Sequence, residues 1–274
     1  MTLTTSAAAR RRGTLAASLF ACCVHSAASA GEFALGISPP RLELELKDGA
    51  STRQVLEITN ASTQASALRV QTADWTMGPD NAPVFFEALQ PGSCRPWVAL
   101  ERRELTVSAG RPYRFRFEIT PPAGTTPGEC RFALLFEGQE QVTTGPAAVP
   151  FNARLGVIVY VALGGATPTL SVVGSDVQSV NGRQTPVLRV TNSGMAHGRL
   201  TGFLSGTDAA GQSLEFSPDT LPILPGETRV IALHPSRPGD PDNNAVPVRF
   251  PVTVSGKLEW GTDQAQTIAQ RFAP

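Results

Sequence analysis

Side chains that carry most enzyme chemistry are scarce here: 274 residues hold three histidines, four cysteines and two tyrosines. Two histidines, His197 and His234, lie beyond the first thirty residues. Each is expected alone on a strand end or loop, with no acid–nucleophile pattern beside it, and both are read as structural or solvated. No G-x-S-x-G elbow and no phosphate-binding glycine loop occurs. Asp240, Asp242, Asn243 and Asn244 form an acidic run, but no glutamate closes it as a calcium loop requires, so a polar turn is expected. Carboxylate pairs of the glycosidase type meet only in space and leave no linear signature. No catalytic residue, metal site or cofactor is therefore assigned, and a β-sandwich hydrolase would need a carboxylate pair clustered in a cleft.

Charge of one sign is also missing, with 23 basic against 23 acidic residues. A near-neutral chain without a basic run gives no reason to expect nucleic acid or an anionic membrane surface as partner. No apolar run reaches the roughly 20 residues that span a bilayer. Leu155 to Leu163 is the most apolar stretch, and Gly164-Gly165 end it. Helix signals are nearly absent, because 23 prolines and 25 glycines punctuate the chain along its length.

The amino terminus has the three parts of a secretory signal. Arg10, Arg11 and Arg12 are the positive segment, Leu15 to Val24 the apolar segment, and Ala28-Ser29-Ala30 the cleavage site. The mature chain is expected to begin at Gly31 and to work outside the cytoplasm. Leu19-Phe20-Ala21-Cys22 loosely resembles a lipoprotein box, the alternative processing route, although Phe20 is bulky for that site. The arginines lack the following residues of a twin-arginine signal. Losing thirty residues that carry three arginines and no acid leaves 20 basic against 23 acidic residues.

Cys22 and Cys23 leave with the signal, while Cys94 and Cys130 remain. An even pair in an oxidising compartment reads as a disulfide, with two buried thiols as the alternative.

What the sequence does have is period-two alternation between turns. Arg53 to Thr59 puts Leu56 and Ile58 on one face, and Ala67 to Trp75 is a second candidate strand. Tyr113 to Ile119 alternates cleanly, with Tyr113, Phe115, Phe117 and Ile119 inward. Arg131 to Glu137 is apolar enough to be covered on both sides. Val149 to Val161 reads as one strand with Val149, Phe151, Ala153, Leu155, Val157, Val159 and Val161 on a single face. After Gly164-Gly165-Ala166-Thr167-Pro168, a flexible segment ending in proline, further strands are expected at Thr169–Val173, Pro186–Thr191, Gly198–Ser205, Thr228–His234, Val248–Val254 and Gly256–Trp260. The fold class is all-β: a signal peptide at 1–30, then immunoglobulin-like sandwiches at 31–165 and 166–274.

The halves share an order of signals. Val55-Leu56-Glu57-Ile58-Thr59-Asn60 is followed by Leu105-Thr106-Val107-Ser108-Ala109-Gly110. Val187-Leu188-Arg189-Val190-Thr191-Asn192 is followed by Leu224-Pro225-Gly226-Glu227. In each, a strand ends in Thr-Asn, and a later glycine turn opens a new strand.

Ile37-Ser38-Pro39-Pro40-Arg41-Leu42 opens the mature chain, the Thr59-Asn60 turn follows, and Pro127-Gly128-Glu129-Cys130-Arg131-Phe132 leads into a long final strand. Over roughly Phe33 to Leu163 this order resembles the amino-terminal domain of periplasmic, PapD-like pilus-assembly chaperones. The second half is similar to that family's second domain only in its turn and strand count. The resemblance implies a non-catalytic periplasmic chaperone that lends a strand to pilin or fimbrial subunits, with an outer-membrane usher as a further partner. It implies donor residues Val149, Phe151, Ala153 and Leu155. It also implies a cationic anchor for the subunit's terminal carboxylate, to which Arg41 corresponds. Where the family has a lysine in the last strand, the only cation of Val149–Val161 is Arg154. The alternative is a structural or adhesive sandwich that stays within a surface assembly.

Overall fold

The computed structural model describes residues 34–138, 141–142, 150–242 and 244–274. The expected signal segment, Ala147, Val149 and Asn243 lie outside them.

Two β-sandwiches follow one another. The first contains β1 (Leu35–Ser38), β2 (Arg41–Leu46), β3 (Thr52–Asn60), β4 (Ser66–Met77), β5 (Pro83–Phe86), β6 (Val98–Leu100), β7 (Glu104–Val107), β8 (Tyr113–Ile119), β9 (Gly128–Gly138), β10 (Gln141–Val142), β11 (Pro150–Phe151) and β12 (Arg154–Leu163). The second contains β13 (Leu170–Val180), β14 (Arg183–Asn192), β15 (Leu204–Thr207), β16 (Ser213–Pro218), β17 (Thr228–Ser236), β18 (Val252–Trp260) and β19 (Gln264–Phe272). One turn of 3-10 helix, Arg95–Trp97, interrupts the strands.

In the first sandwich, a sheet ordered β1-β3-β8-β6 faces one ordered β2-β12-β9-β4-β5, with β7 also on β4. The chain changes sheets between β1 and β2. Pro39 and Pro40 have no amide to donate, so the ladder with β3 stops there. The chain then pairs in parallel with β12, Arg41 opposite Ile158. Leu56, Ile58, Phe115, Phe117 and Ile119 from one sheet bury against Phe132, Leu134, Phe136, Val157 and Val159 from the other. The strand read as covered on both sides is β9: Ala133 and Leu135 bury on its outer face with Trp75 and Tyr160.

The second sandwich is a single sheet, β13-β14-β17-β16-β15-β18-β19, folded around Leu188, Phe216, Ile231, Val254 and Ile268. Its two end strands approach each other, and the Gln266 side chain accepts the Val172 amide at 3.0 Å. Between the sandwiches, Gly164 and Gly165 take left-handed φ values of 60° and 78°, a conformation glycine adopts without a Cβ clash.

Several expected strand limits change. Val149–Val161 is not one strand: Pro150–Phe151 pairs only with Gln141–Val142, and β12 begins at Arg154. Pro150 cannot donate to a ladder, and Asn152 turns its side-chain amide to Glu137 Oε1 at 3.0 Å. Gly198–Ser205 contributes isolated bridges at Gly198 and Thr201 before β15 starts. Val252–Trp260 runs unbroken through Gly256, whose φ of 148° and position against the Phe203 carbonyl need the missing side chain. β16 and β19 alternate polar and apolar residues after the glycine turns at Gly211 and Gly261, and were not among the expected strands.

The repeated Thr-Asn signal has a three-dimensional counterpart. Asn60 is buried at the end of β3 and donates to the Val107 and Gln64 carbonyls at 3.0 and 2.7 Å. Its Oδ1 accepts the Ser62 amide, and its backbone carbonyl accepts the Gly110 amide. Asn192, at the end of β14, donates to Ile223 and Ala196 at 2.8 Å each. Its Oδ1 accepts the Gly194 amide, and its carbonyl accepts the Gly226 amide. Spacing within the two networks is identical: the amide two residues on, the carbonyl four on, and a distant carbonyl followed three residues later by the glycine. Truncation would remove a donor from the buried Val107 carbonyl in one network and from the buried Ala196 carbonyl in the other, while the Gln64 and Ile223 carbonyls keep the Ser62 hydroxyl and the Gly198 amide; a lost buried bond costs about 1–3 kcal/mol. Asn60→Ala and Asn192→Ala are each expected to lower stability by about 1–3 kcal/mol, read from urea midpoints.

Cys94 and Cys130 form a disulfide that ties the 3-10 turn to β9 across 36 residues. Asp74 supports the same turn, accepting Ser93 Oγ at 2.6 Å and pairing with Arg95 at 3.3 Å. A loop of this length is worth about 3–4 kcal/mol in chain entropy. The double variant Cys94→Ala/Cys130→Ala should lose about that much in denaturant unfolding, whereas wild-type protein should lose it only after reduction.

Candidate functional site

Two features stand out, both on the sheet that contains β2 and β12. The first is an open strand edge. β2 begins at Arg41, opposite Ile158, so among the described residues the first half of β12 has no neighbour on that side. The Ala153 carbonyl accepts the Gly138 amide, which turns the odd-numbered backbone groups toward β9. The Ile158 amide donates to Pro40 on the opposite side. By the two-residue period, the amides and carbonyls of Arg154 and Gly156 face outward from the sheet edge. Leu155 points into the core and is half-buried.

Arg41 and Arg154 stand at the two ends of this edge, on the outer face. They are four positions apart in the β12 register, roughly 13 Å along the strand. Each is engaged with its own carboxylates. Arg41 Nε lies 2.8 Å from Glu43 Oε1. Arg154 contacts Glu137 and Glu87, each at 3.1 Å, and its pKa is raised first by the Glu137 hydrogen bond. Of the expected donor residues, Val149 lies outside the described part, Phe151 is in the short β11, and Ala153 sits in the break before β12.

The second feature is the cleft between the sandwiches, about 480 Å³, lined by Glu43, Glu129, Tyr160, His197, Arg199 and Asp263 among others. Its lining follows from alternation. Leu42, Leu44 and Leu46 pack against the first core, so Arg41, Glu43 and Glu45 face out. Tyr160 faces out as well, between the inward Val159 and Val161. From the second sandwich, the loop after Asn192 presents His197. Asn192 holds the Ala196 carbonyl, the Thr167 carbonyl accepts the Met195 amide, and Gly194 passes so close to Thr169 that a Cβ would sit 2.4 Å from its nitrogen.

His197 is enclosed by the first sandwich. Its Nδ1 lies 2.5 Å and its backbone amide 2.8 Å from Glu129 Oε2. Its Nε2 lies 3.4 Å from Glu43 Oε1, and its ring stacks on Tyr160 with centroids 3.7 Å apart. The Glu129 side chain is fully buried and also pairs with Arg131 at 3.1 Å. Arg199 donates to the Tyr160 hydroxyl at 3.2 Å and approaches Glu43 at 3.5 Å. Burial opposes the charged imidazole, but its bonds to Glu129 and Glu43 outweigh that, and the pKa of His197 is raised. The His197 contact is the main cause that lowers Glu43 to about 2, against burial and with help from Arg41 and Arg199. Burial pushes Tyr160 up to about 12.

A further contact joins the sandwiches beside the cleft. The tip of the β4–β5 hairpin places Asn81 Oδ1 2.5 Å from Arg229, which also pairs with Glu227. Leu224 buries against Trp75 and Tyr160.

The expectation that His197 stands without nearby acids is therefore corrected, because β2 and β9 each bring a glutamate to it through tertiary packing. Glu43, Glu129, Tyr160 and Arg199 were not singled out by sequence. Only the alternation of Arg41-Leu42-Glu43-Leu44-Glu45 hinted that Glu43 shares a face with Arg41. Asp240 accepts the Asp242 and Asn244 amides, the bonding of a polar turn. No group of metal ligands occurs among the described residues, and no described helix is long and apolar enough to cross a membrane.

No family model matches the sequence, and no match is found among curated proteins. Solved structures of similar architecture include fimbrial chaperones. The class 5 fimbriae chaperone CfaA is 13% identical, covering 88% of this chain and 99% of its own, with a TM-score of 0.47. The SafB chaperone, solved with the SafA pilin of Salmonella enterica, is 10% identical over 87% and 97%, at 0.46. The CsuC–CsuE chaperone–tip complex of Acinetobacter baumannii gives 12% identity over 87% and 97%, at 0.45.

Glu43 titrates below its ordinary value, so its contribution to stability is complete above about pH 4.5 and is lost as pH falls toward 2. Wild-type protein should therefore lose more stability than Glu43→Gln between pH 5 and 2, with the two curves running parallel between about pH 5 and 6, below the range in which His197 loses its proton. Urea midpoints across this range check it.

Proposed function

We propose that this chain is an exported chaperone that binds fimbrial or pilin subunits by strand addition, without catalysis or cofactor. The open edge at Arg154–Val157 carries the reading. Outward amides and carbonyls at Arg154 and Gly156 that pair with no strand among the described residues, beside a half-buried leucine, are the surface that β-augmentation uses. Natural sandwiches usually cover or blunt such an edge. Arg41 and Arg154 bracket it on one face, and a subunit's terminal carboxylate would compete there with Glu43, Glu87 and Glu137 for the two guanidiniums. The amino-terminal signal supports work in the periplasm, where subunits pass before assembly. Residues 31–165 are the subunit-binding sandwich in this reading, 166–274 the second, and an usher would receive the loaded complex.

The test is capture of a co-expressed pilin subunit from periplasmic extract. Wild-type protein should retain it. Arg41→Ala and Arg154→Ala should each reduce capture by about tenfold, the loss of one charge-assisted bond. Gly156→Pro, which removes an outward amide, should reduce it further. Unchanged capture by all three would refute the assignment, and recovery of the protein only with surface fibres would favour a structural component.

A further inference from the structure

The histidine in the cleft has a geometry that its neutral form cannot keep. Nδ1 is 2.5 Å from Glu129 and Nε2 is 3.4 Å from Glu43, so carboxylates on two strands of the first sandwich face both ring nitrogens. An imidazolium donates from both nitrogens, but a neutral imidazole donates from one and turns a lone pair toward the other acid. The remaining groups around the ring do not replace the missing proton. Arg131 is engaged with Glu129, Arg41 and Arg199 with Glu43, and Tyr160 covers a ring face with its hydroxyl turned to Arg199. Glu45 and Asp263, which line the same cleft, add negative charge.

We infer that protonated His197 is a pH-dependent clasp that fixes the second sandwich against the first, and that its deprotonation frees their relative orientation. The ring stays bound to Glu129, its shorter contact, and releases Glu43. Glu43 is then left to Arg41 and Arg199 on the cleft rim. Leu224 and the Asn81–Arg229 contact keep the sandwiches joined, so the change is loosening rather than separation. The sign follows from a raised histidine: its contribution is complete below about pH 6.5 and fades as pH rises through the folded-state value. This inference does not depend on strand binding and can hold or fail without it.

Two measurements on the whole mature chain decide it. The His197 ring protons, followed by NMR, should titrate with a midpoint above the ordinary ~6.5. Residual dipolar couplings of backbone amides should fit one common alignment for both sandwiches below that midpoint and separate alignments above it. His197→Gln should give separate alignments at every pH, and His234→Gln should keep the wild-type transition. Circular dichroism confirms that each variant is folded. If His197→Gln does not fold, Glu43→Gln takes its place with the same expected outcome, because it removes the carboxylate that Nε2 releases on deprotonation. A single common alignment from pH 5 to 9 in wild type, or an unchanged transition in the folded clasp variant, would overturn the inference.

Discussion

Each sandwich depends on one buried asparagine amide. A β-sandwich must end its strands somewhere, and the backbone groups at those ends are costly to bury unpaired. Asn60 and Asn192 solve this with one side chain, donating to two carbonyls and accepting an amide at the place where a strand gives way to a turn. The turn is thereby tied by side-chain as well as backbone bonds. In the second sandwich that bonding has a further consequence, because the carbonyl Asn192 holds belongs to Ala196, next to the histidine that meets the first sandwich.

The same network at the two positions does different work because the loops differ. Five residues after Asn60 is Ala65, at the end of the first sandwich away from the linker: Leu68 lies opposite Gly138, whereas Leu163 lies opposite Gly128 at the other end of β9. Five residues after Asn192 is His197, which enters a cage of two glutamates and a tyrosine. A repeated scaffold has thus been given one specialised loop. Its partners on the first sandwich lie on the outer faces of β2, β9 and β12, opposite the faces that build the core. Strand alternation keeps the apolar packing and the charged cleft apart while letting the same strands serve both.

The open edge arises from a related constraint. Paired prolines force the chain to leave one sheet and join another, and the point of joining sets where β2 can begin to cover β12. Four residues remain uncovered among those described. The outer-face arginines at the ends of that gap follow from period-two geometry once the register is fixed.

The sequence by itself determined the all-β class, the inward faces of β3 and β8, the two-sided burial of β9, the pair of related sandwiches and the Cys94–Cys130 bridge. Periodicity, turn residues and cysteine parity are local or countable, so they survive in one dimension. The single long strand at Val149–Val161, the break at Gly256 and the isolation of His197 did not hold. A proline within a ladder, a glycine chosen for close approach and a glutamate delivered by a distant strand look in sequence like ordinary turns and polar positions. Only tertiary structure decided which of many surface acids are buried beside the histidine, and which half of β12 lacks a neighbour. Those outcomes depend on register and on how one sandwich rests against the other, distances that no local pattern encodes.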